Sequence, residues 1–256
     1  MLHKLIGVNL KQRMPLMRWS YLRFVVGGLH FLKTGQVGDG RESKVADHVV
    51  NNARKGDIDD VLDTIDKFAY EQTFLVNIGD EKGKLLDAAV KRADPKLILE
   101  LGTYVGYSAL RLVRAAPSAT VFSVELSDAN AEIARRIWAY AGVDDRITSI
   151  VGTIDDGGRT LDALAADGFG TGKVDFLFLD HDKNAYLPDL KTIVDRGWLH
   201  PGSIVVADNV GFPGAPKYRT YMHEQQNKRF DTVEHKAHTE YQTLVRDLVL
   251  ESEFLG

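Results

Sequence analysis

Two kinds of hydrophobic pattern alternate along most of this chain. Between residues 57 and 76, Ile58, Val61, Leu62, Ile65, Phe68 and Ala69 recur at three- and four-residue intervals, which lines one face of a helix. Short apolar runs follow at 97–101 (LILEL), 120–124 (TVFSV), 147–151 (ITSIV), 174–179 (VDFLFL) and 203–207 (SIVVA), each bounded by turn residues. Compact runs of this kind predict parallel strands buried on both faces. Amphipathic stretches around 107–115, 128–141, 156–166 and 186–197 separate them, so the pattern predicts successive right-handed βαβ crossovers and a doubly wound, mostly parallel α/β sheet. Near the C-terminus, residues 229–234 and 240–250 flank a short polar stretch, HKAHT, and predict two adjacent antiparallel strands.

Composition narrows the chemistry. The 256 residues are 44% hydrophobic and 27% charged, ordinary globular usage that argues against a disordered or fibrous chain. There is no cysteine, which excludes disulfide frameworks, thiolate metal sites and cysteine nucleophiles. Any metal must therefore be held by oxygen or imidazole. A net charge of −4 argues against a nucleic-acid partner, which calls for a basic field.

That average hides an asymmetry. Residues 1–38 carry six basic side chains (Lys4, Lys11, Arg13, Arg18, Arg23, Lys33) and no acid, with Trp19, Tyr21, Phe24 and Phe31 interleaved, and the Gly-rich GQVGDG linker closes the segment at residues 35–40. Two readings of this basic amphipathic arm stay open: a helix packed on the domain or on a dimer partner, and a helix in peripheral contact with an anionic membrane surface. No apolar run reaches the roughly 18 to 20 residues of a spanning helix, and no secretory signal is legible, so the expectation is a cytoplasmic chain without export. Monomer and homodimer both stay open.

In open α/β sheets ligands bind outside the carboxyl ends of the strands. The 97–101 run ends in ELGTYVGYS, where Gly102 and Gly106 permit a tight turn and the Tyr107 and Ser108 amides open a helix, a nucleotide-type loop. Tyr104 stands where a dinucleotide fingerprint has its second glycine, which disfavours a nicotinamide-dependent oxidoreductase on the same scaffold. Glu125, at the end of the next run, is placed to accept hydrogen bonds from ribose hydroxyls. The fourth run ends in LDHDKN and the fifth in VVADNV, so Asp180, Asp208 and Asn209 converge as a hard oxygen donor set suited to Mg²⁺. Lys183, three residues past Asp180, can fold back over that position as a general base. The histidines form no recognisable zinc spacing, with His235 and His238 expected in a turn and His181 without a partner. Serine-hydrolase, zinc-protease and P-loop motifs are missing from the sequence.

Across residues 41–256 the segments NIGDEKGKLLDA, LILELGTYVGYSAL, AGVDDRIT, FLFLDHDKNAYLPD, ADNVGFPGAP and TEYQTLV resemble the catechol O-methyltransferase family. The resemblance implies a seven-stranded, Rossmann-like fold with an antiparallel last strand, S-adenosylmethionine as methyl donor, and Mg²⁺-dependent transfer to one hydroxyl of a catechol. It implies Asp180, Asp208 and Asn209 as metal ligands, Lys183 as the base, and Glu240 as the group binding the second hydroxyl. On the cofactor side it implies Val76, Glu100, Gly102, Tyr104, Tyr107, Ser108, Glu125, Asp155 and Asp180. Four positions depart from the family pattern: Asp182 and Phe74 each stand where animal enzymes have tryptophan, and Ile154 and Asp155 replace a Ser-Gln pair at the adenine; Pro213 keeps a hydrophobic gatekeeper position. A cofactor-binding but catalytically weak, membrane-associated module is the alternative that Asp182 and the basic arm motivate.

Overall fold

The computed structural model of the chain describes residues 19–256. Helix α1 (Trp19–Thr34) precedes α2 (Arg41–Asn52), α3 (Ile58–Glu71) and α4 (Gly79–Ala93). The alternating part runs β1 (Leu97–Leu101), α5 (Tyr107–Ala115), β2 (Thr120–Glu125), α6 (Asp128–Ala141), β3 (Ile147–Val151), α7 (Arg159–Ala166), β4 (Val174–Leu179), α8 (Tyr186–Asp195) and β5 (Leu199–Ala207). A single tight turn (Val210–Gly214), helix α9 (Pro216–Glu224) and strands β6 (Phe230–His238) and β7 (Arg246–Phe254) complete it. The seven strands form one sheet in the order β3-β2-β1-β4-β5-β7-β6, with β7 antiparallel to both neighbours.

Side-chain alternation explains why helices cover both faces. Ile98, Val121, Phe176 and Phe178 face the layer built by α2 to α6, while Leu99, Leu101, Phe122, Leu177 and Leu179 face the layer of α7 to α9. Local chemistry sets the helix ends: the Asp57 carboxylate accepts from the Asp60 amide to start α3, Ser127 does the same for Asn130 at α6, and left-handed Gly142 stops α6. Gly106 starts α5 at φ 80° with the Trp138 indole against its α-carbon, a contact that admits no larger residue. Trp138 Nε1 donates to the Gly106 carbonyl at 2.9 Å, so α6 clamps the turn after β1.

The expected C-terminal hairpin is present, but its register corrects the sequence reading. HKAH lies inside β6, and the turn is 239–245, which carries Glu240. His235 pairs with Glu251 on the adjacent strand and His238 with Glu81 of α4, so both belong to an edge strand with mainly polar positions.

Of the basic arm, Lys4, Lys11, Arg13 and Arg18 lie outside the described residues, as do the side chains of Trp19, Tyr21 and Lys33. Helix α1 packs on its own domain: the Phe24 ring meets Phe74 at 5.8 Å and Phe31 meets Tyr104 at 6.1 Å. Val25 and Val26 face outward. Fully buried Arg41 pins the arm, donating to both Asp39 oxygens, to the Phe74 carbonyl at 2.6 Å and to the Ser20 carbonyl at 2.8 Å. Among the described residues no helix is long and apolar enough to cross a membrane. Arg41→Ala is expected to loosen α1 by about 1.5 to 3 kcal/mol, read as faster amide exchange across residues 20–37 with the central strands still protected. Unchanged exchange there rejects the pin.

Candidate active site

Backbone bonding past the strand ends assembles the site. The Gly102 amide donates to Val124 O, Asp180 to Leu101 O and Asp208 to Leu179 O, which extends the ladder by one residue and sets Gly102, Asp180 and Asp208 side by side. Gly102 adopts φ 103°, and a β-carbon there would run into the Asp180 carbonyl, so the close approach of β1 and β4 requires glycine.

The nucleoside side of the expected site is built around Glu125. Its Oε2 accepts from the Thr103 and Tyr104 amides at 3.1 and 2.8 Å, and its Oε1 from the Ser127 amide at 2.9 Å. Asn130 Nδ2 approaches the same Oε1 at 3.4 Å. Burial pushes the Glu125 carboxyl upward against these donors. Glu100, register partner of Ser123, is fully buried on the face that α5 covers. Ser123 donates to its Oε2, while Oε1 has no partner. Burial raises its carboxyl to about 8, with the Ser108 and Ser123 hydroxyls pulling the other way.

The tyrosines of the turn direct their hydroxyls into the protein: Tyr107 is buried with its hydroxyl accepting from Arg111, and the Tyr104 hydroxyl donates to Glu42. Val76 is half-buried before α4, and Asp155 is exposed in the loop between β3 and α7. His181 is held structurally: its Nε2 lies 2.8 Å from Asp189 Oδ2 and its backbone nitrogen packs beside Gly102.

The acidic side is more heavily populated than two carboxylates and an amide. Asp180 Oδ1 accepts from Lys183 Nζ at 3.0 Å, and Lys183 also donates to the Tyr186 hydroxyl at 2.7 Å, so the short turn brings the amine back to Asp180 as the spacing predicts. Asn209 sits at φ 52° and directs Nδ2 to Glu240 Oε1 at 2.8 Å and to Asp247 Oδ2 at 2.9 Å. Lys82, from the first turn of α4, enters among them. Its ammonium lies 2.8 Å from Asp208 Oδ1, 2.7 Å from Glu240 Oε1 and 2.9 Å from Asp247 Oδ2.

The electrostatics follow from this burial. Burial opposes the Lys82 charge, but the surrounding carboxylates hold its ammonium well above the usual lysine range. Burial pushes Asp208 to about 8 despite the Lys82 ammonium, and raises Asp180 despite Lys183 and Lys82. Apart from the ammonium contact, neither Asp208 oxygen has a hydrogen-bond donor, which leaves an acceptor-only group suited to a cation. A second ammonium, Lys82, therefore sits among the expected oxygen donors beside Lys183. Among the described residues no group of three or more His, Asp or Glu is placed to hold a metal ion by itself. Lys82 lies on a helix and Asp247 at the start of β7, so neither stands at the carboxyl end of a parallel strand, where sequence reasoning looks for ligands.

Residues 44–239 match the sequence model of the O-methyltransferase family. The chain belongs to the O-methyltransferase family. A "Probable O-methyltransferase" of Mycobacterium tuberculosis is 71% identical to it over 223 residues, covering 87% of this chain and 96% of that protein. Catechol O-methyltransferase B of Danio rerio is 36% identical over 217 residues, 84% of this chain and 80% of that one. Among solved structures, an O-methyltransferase from Streptomyces achromogenes in complex with SAM superposes with a TM-score of 0.60 at 22% identity, covering 94% of this chain and 100% of that one, a likeness of fold.

Buried Glu100 gives this O-methyltransferase a distinctive pH dependence. Its carboxyl rises from 4.5 to about 8 on folding, so between those values the folded chain keeps a proton that the unfolded chain has lost. The stability contribution of this group therefore falls as pH rises through that window and levels off above it. Glu100→Gln is expected to gain stability over the wild type from pH 5 to pH 8.5, on the order of a few kcal/mol at the alkaline end. Thermal unfolding of both proteins across that range checks it; a constant difference rejects the assignment.

Proposed function

We propose that this O-methyltransferase transfers the methyl group of S-adenosylmethionine to one hydroxyl of a vicinal dihydroxy aromatic acceptor, with Mg²⁺ bound at the ends of β4 and β5. The observation that carries the reading is the buried meeting of Asp180, Asp208, Asn209, Lys183 and Glu240 beside the glycine turn after β1. Relatives named catechol O-methyltransferase support the acceptor class.

Asp180, Asp208 and Asn209 Oδ1 are the residues that would hold the cation. Bound Mg²⁺ supplies a Lewis acid that makes a phenol, with a pKa of about 10 in water, easier to ionise. S-adenosylmethionine supplies an electrophilic methyl group on sulfur. The chain's own part is orientation and proton handling: Lys183, after its ammonium has released a proton to solvent, takes the phenolic proton at Nζ, and Glu240 accepts from the neighbouring hydroxyl, so the ring is fixed at two points. Holding two reactants in an attack geometry is worth up to about 7 to 11 kcal/mol, and this fixation supplies it. Glu125 receives the ribose hydroxyls, the backbone from Gly102 to Ser108 carries the methionine end above Glu100, and Val76 and Asp155 flank the cofactor.

The departures from the family pattern bear on the acceptor walls. Phe74 is buried beneath Phe24 of α1. Asp182 is exposed and caps its own turn by accepting from the Asn184 amide at 3.0 Å. Pro213, at the cis Phe212–Pro213 bond, is exposed on the opposite rim. A wall with two indoles fewer and an open carboxylate nearby favours polar or cationic acceptors.

Labelled methyl transfer to simple, cationic and polyphenolic catechols, with Mg²⁺ and with EDTA, tests the reading. Metal-dependent product is expected, with Lys183→Ala slower by about 10² to 10⁴-fold and Asp208→Ala inactive and indifferent to Mg²⁺ while still binding cofactor. Cofactor binding without product on any catechol overturns the acceptor class, and NAD binding in place of S-adenosylmethionine overturns the reaction.

A further inference from the structure

Lys82 is 1% exposed, carried on a helix that ends before β1 begins, and its ammonium reaches carboxylates 126 to 165 residues further along the chain. Those carboxylates come from three places: Asp208 after β5, Glu240 in the β6–β7 connection, and Asp247 in β7. Asp247 is held independently, because its Oδ1 accepts from the Gly211, Phe212 and Leu248 amides at 3.1, 2.8 and 2.7 Å. Its Oδ2 and Glu240 Oε1 then each receive two donors, Lys82 Nζ and Asn209 Nδ2.

Two consequences follow from that closed arrangement. Carboxylates only accept, so the Asn209 amide must turn Nδ2 toward them, which leaves Oδ1 as the end free to meet a cation. Glu240 in turn has its carboxylate fixed by Lys82 and Asn209, in a connection whose backbone is closed by the Thr239 amide on the Val245 carbonyl and by Gln242. Charge gives the second consequence. Asp180, Asp208, Glu240 and Asp247 face Lys82 and Lys183, and with all six ionised the basin carries two uncompensated negative charges, which one divalent cation balances.

We propose that Lys82 is a resident cation of the active site, a positioning residue that fixes Glu240 and Asn209 and sets the basin's charge to match a single divalent ion. The assignment rests on the reading of Asp180, Asp208 and Asn209 as cation ligands. Lys82 cannot leave with the acceptor or exchange with solvent, so it supplies a constant charge that the divalent ion tops up.

The test is a double-variant cycle on the full chain: wild type, Lys82→Met, Asp247→Asn and the double variant, each titrated with Mn²⁺ and followed by electron paramagnetic resonance of the free ion. Removing one neighbouring positive charge is expected to tighten Mn²⁺ at least tenfold in Lys82→Met. Asp247→Asn is expected to weaken it by a similar factor, and the double variant to return within about threefold of the wild type. With a dihydroxy aromatic acceptor, Lys82→Met is also expected to raise KM more than it lowers kcat, since Glu240 loses its anchor. Mn²⁺ affinity in Lys82→Met that is unchanged or weakened overturns the proposal. Should Lys82→Met fail to fold, the double variant against Asp247→Asn gives the same comparison: tightening supports the assignment and equal affinity overturns it. A wild type that binds no Mn²⁺ refutes the divalent-ion reading separately, and Lys82 is then judged by whether Lys82→Met gains Mn²⁺ binding, which supports it, or gains none, which overturns it.

Discussion

Carboxylates cannot be gathered in a buried place without cations among them, and this constraint organises the functional end of the molecule. Taking an isolated carboxylate out of water costs several kcal/mol, and like charges nearby add to that. Asp180, Asp208, Glu240 and Asp247 are assembled because α4 delivers Lys82 and the β4–α8 turn delivers Lys183. The residual pressure shows in the raised carboxyls of Asp180 and Asp208. A site that retains such pressure is one in which an incoming cation finds acceptor groups already aimed and already desolvated.

The sheet makes that gathering possible at low cost in chain entropy. Asp180 and Asp208 are each the first residue past a parallel strand, positioned by one backbone hydrogen bond apiece rather than by a flexible loop. Glu240 has no such support. It lies in a connection between antiparallel strands closed by Gln242 and one backbone bond, and its carboxylate is oriented by side chains: Lys82, Asn209 and, through them, Asp247. The residues of the site therefore divide into those fixed by the ladder and those fixed by the charge network, and perturbation of the network should move the second group alone.

That division also explains what was legible in the sequence. Strand-end residues were readable because apolar runs mark strand ends and ligands gather there: Gly102, Glu125, Asp180, Asp208 and Asn209 follow from pattern alone, and the strands at 97–101, 147–151 and 174–179 agree with the structure to the residue. The last hairpin was misplaced because β6 is an edge strand whose polar face carries His235 and His238, each paired to a glutamate, so its alternation is weak. Lys82 was invisible for another reason. In KGKLLD it reads as one lysine on an amphipathic helix, and only the packing of α4 against α5, where Gly83 meets the Arg111 guanidinium, turns that position inward. No local pattern encodes a partner 158 residues away.

The arm joins the same economy of buried polar groups at the opposite side of the site. Glu125, read as the ribose carboxylate, already has donors on both oxygens from Thr103, Tyr104, Ser127 and Asn130. Asn130 in turn donates to the Gly35 carbonyl at 2.8 Å and accepts from Gln36 Nε2 at 3.1 Å. A single buried amide is thus shared between the carboxylate and the end of the arm, and Gly35 sits so near Glu125 Oε1 that a β-carbon there would lie 3.2 Å from it. Ribose hydroxyls can reach Glu125 only by displacing or sharing these donors, so the geometry of residues 35–37 and that of the nucleoside pocket are one problem. A basic segment that reads as a separate appendage in the sequence is, over its described part, packed onto the residues that hold Glu125.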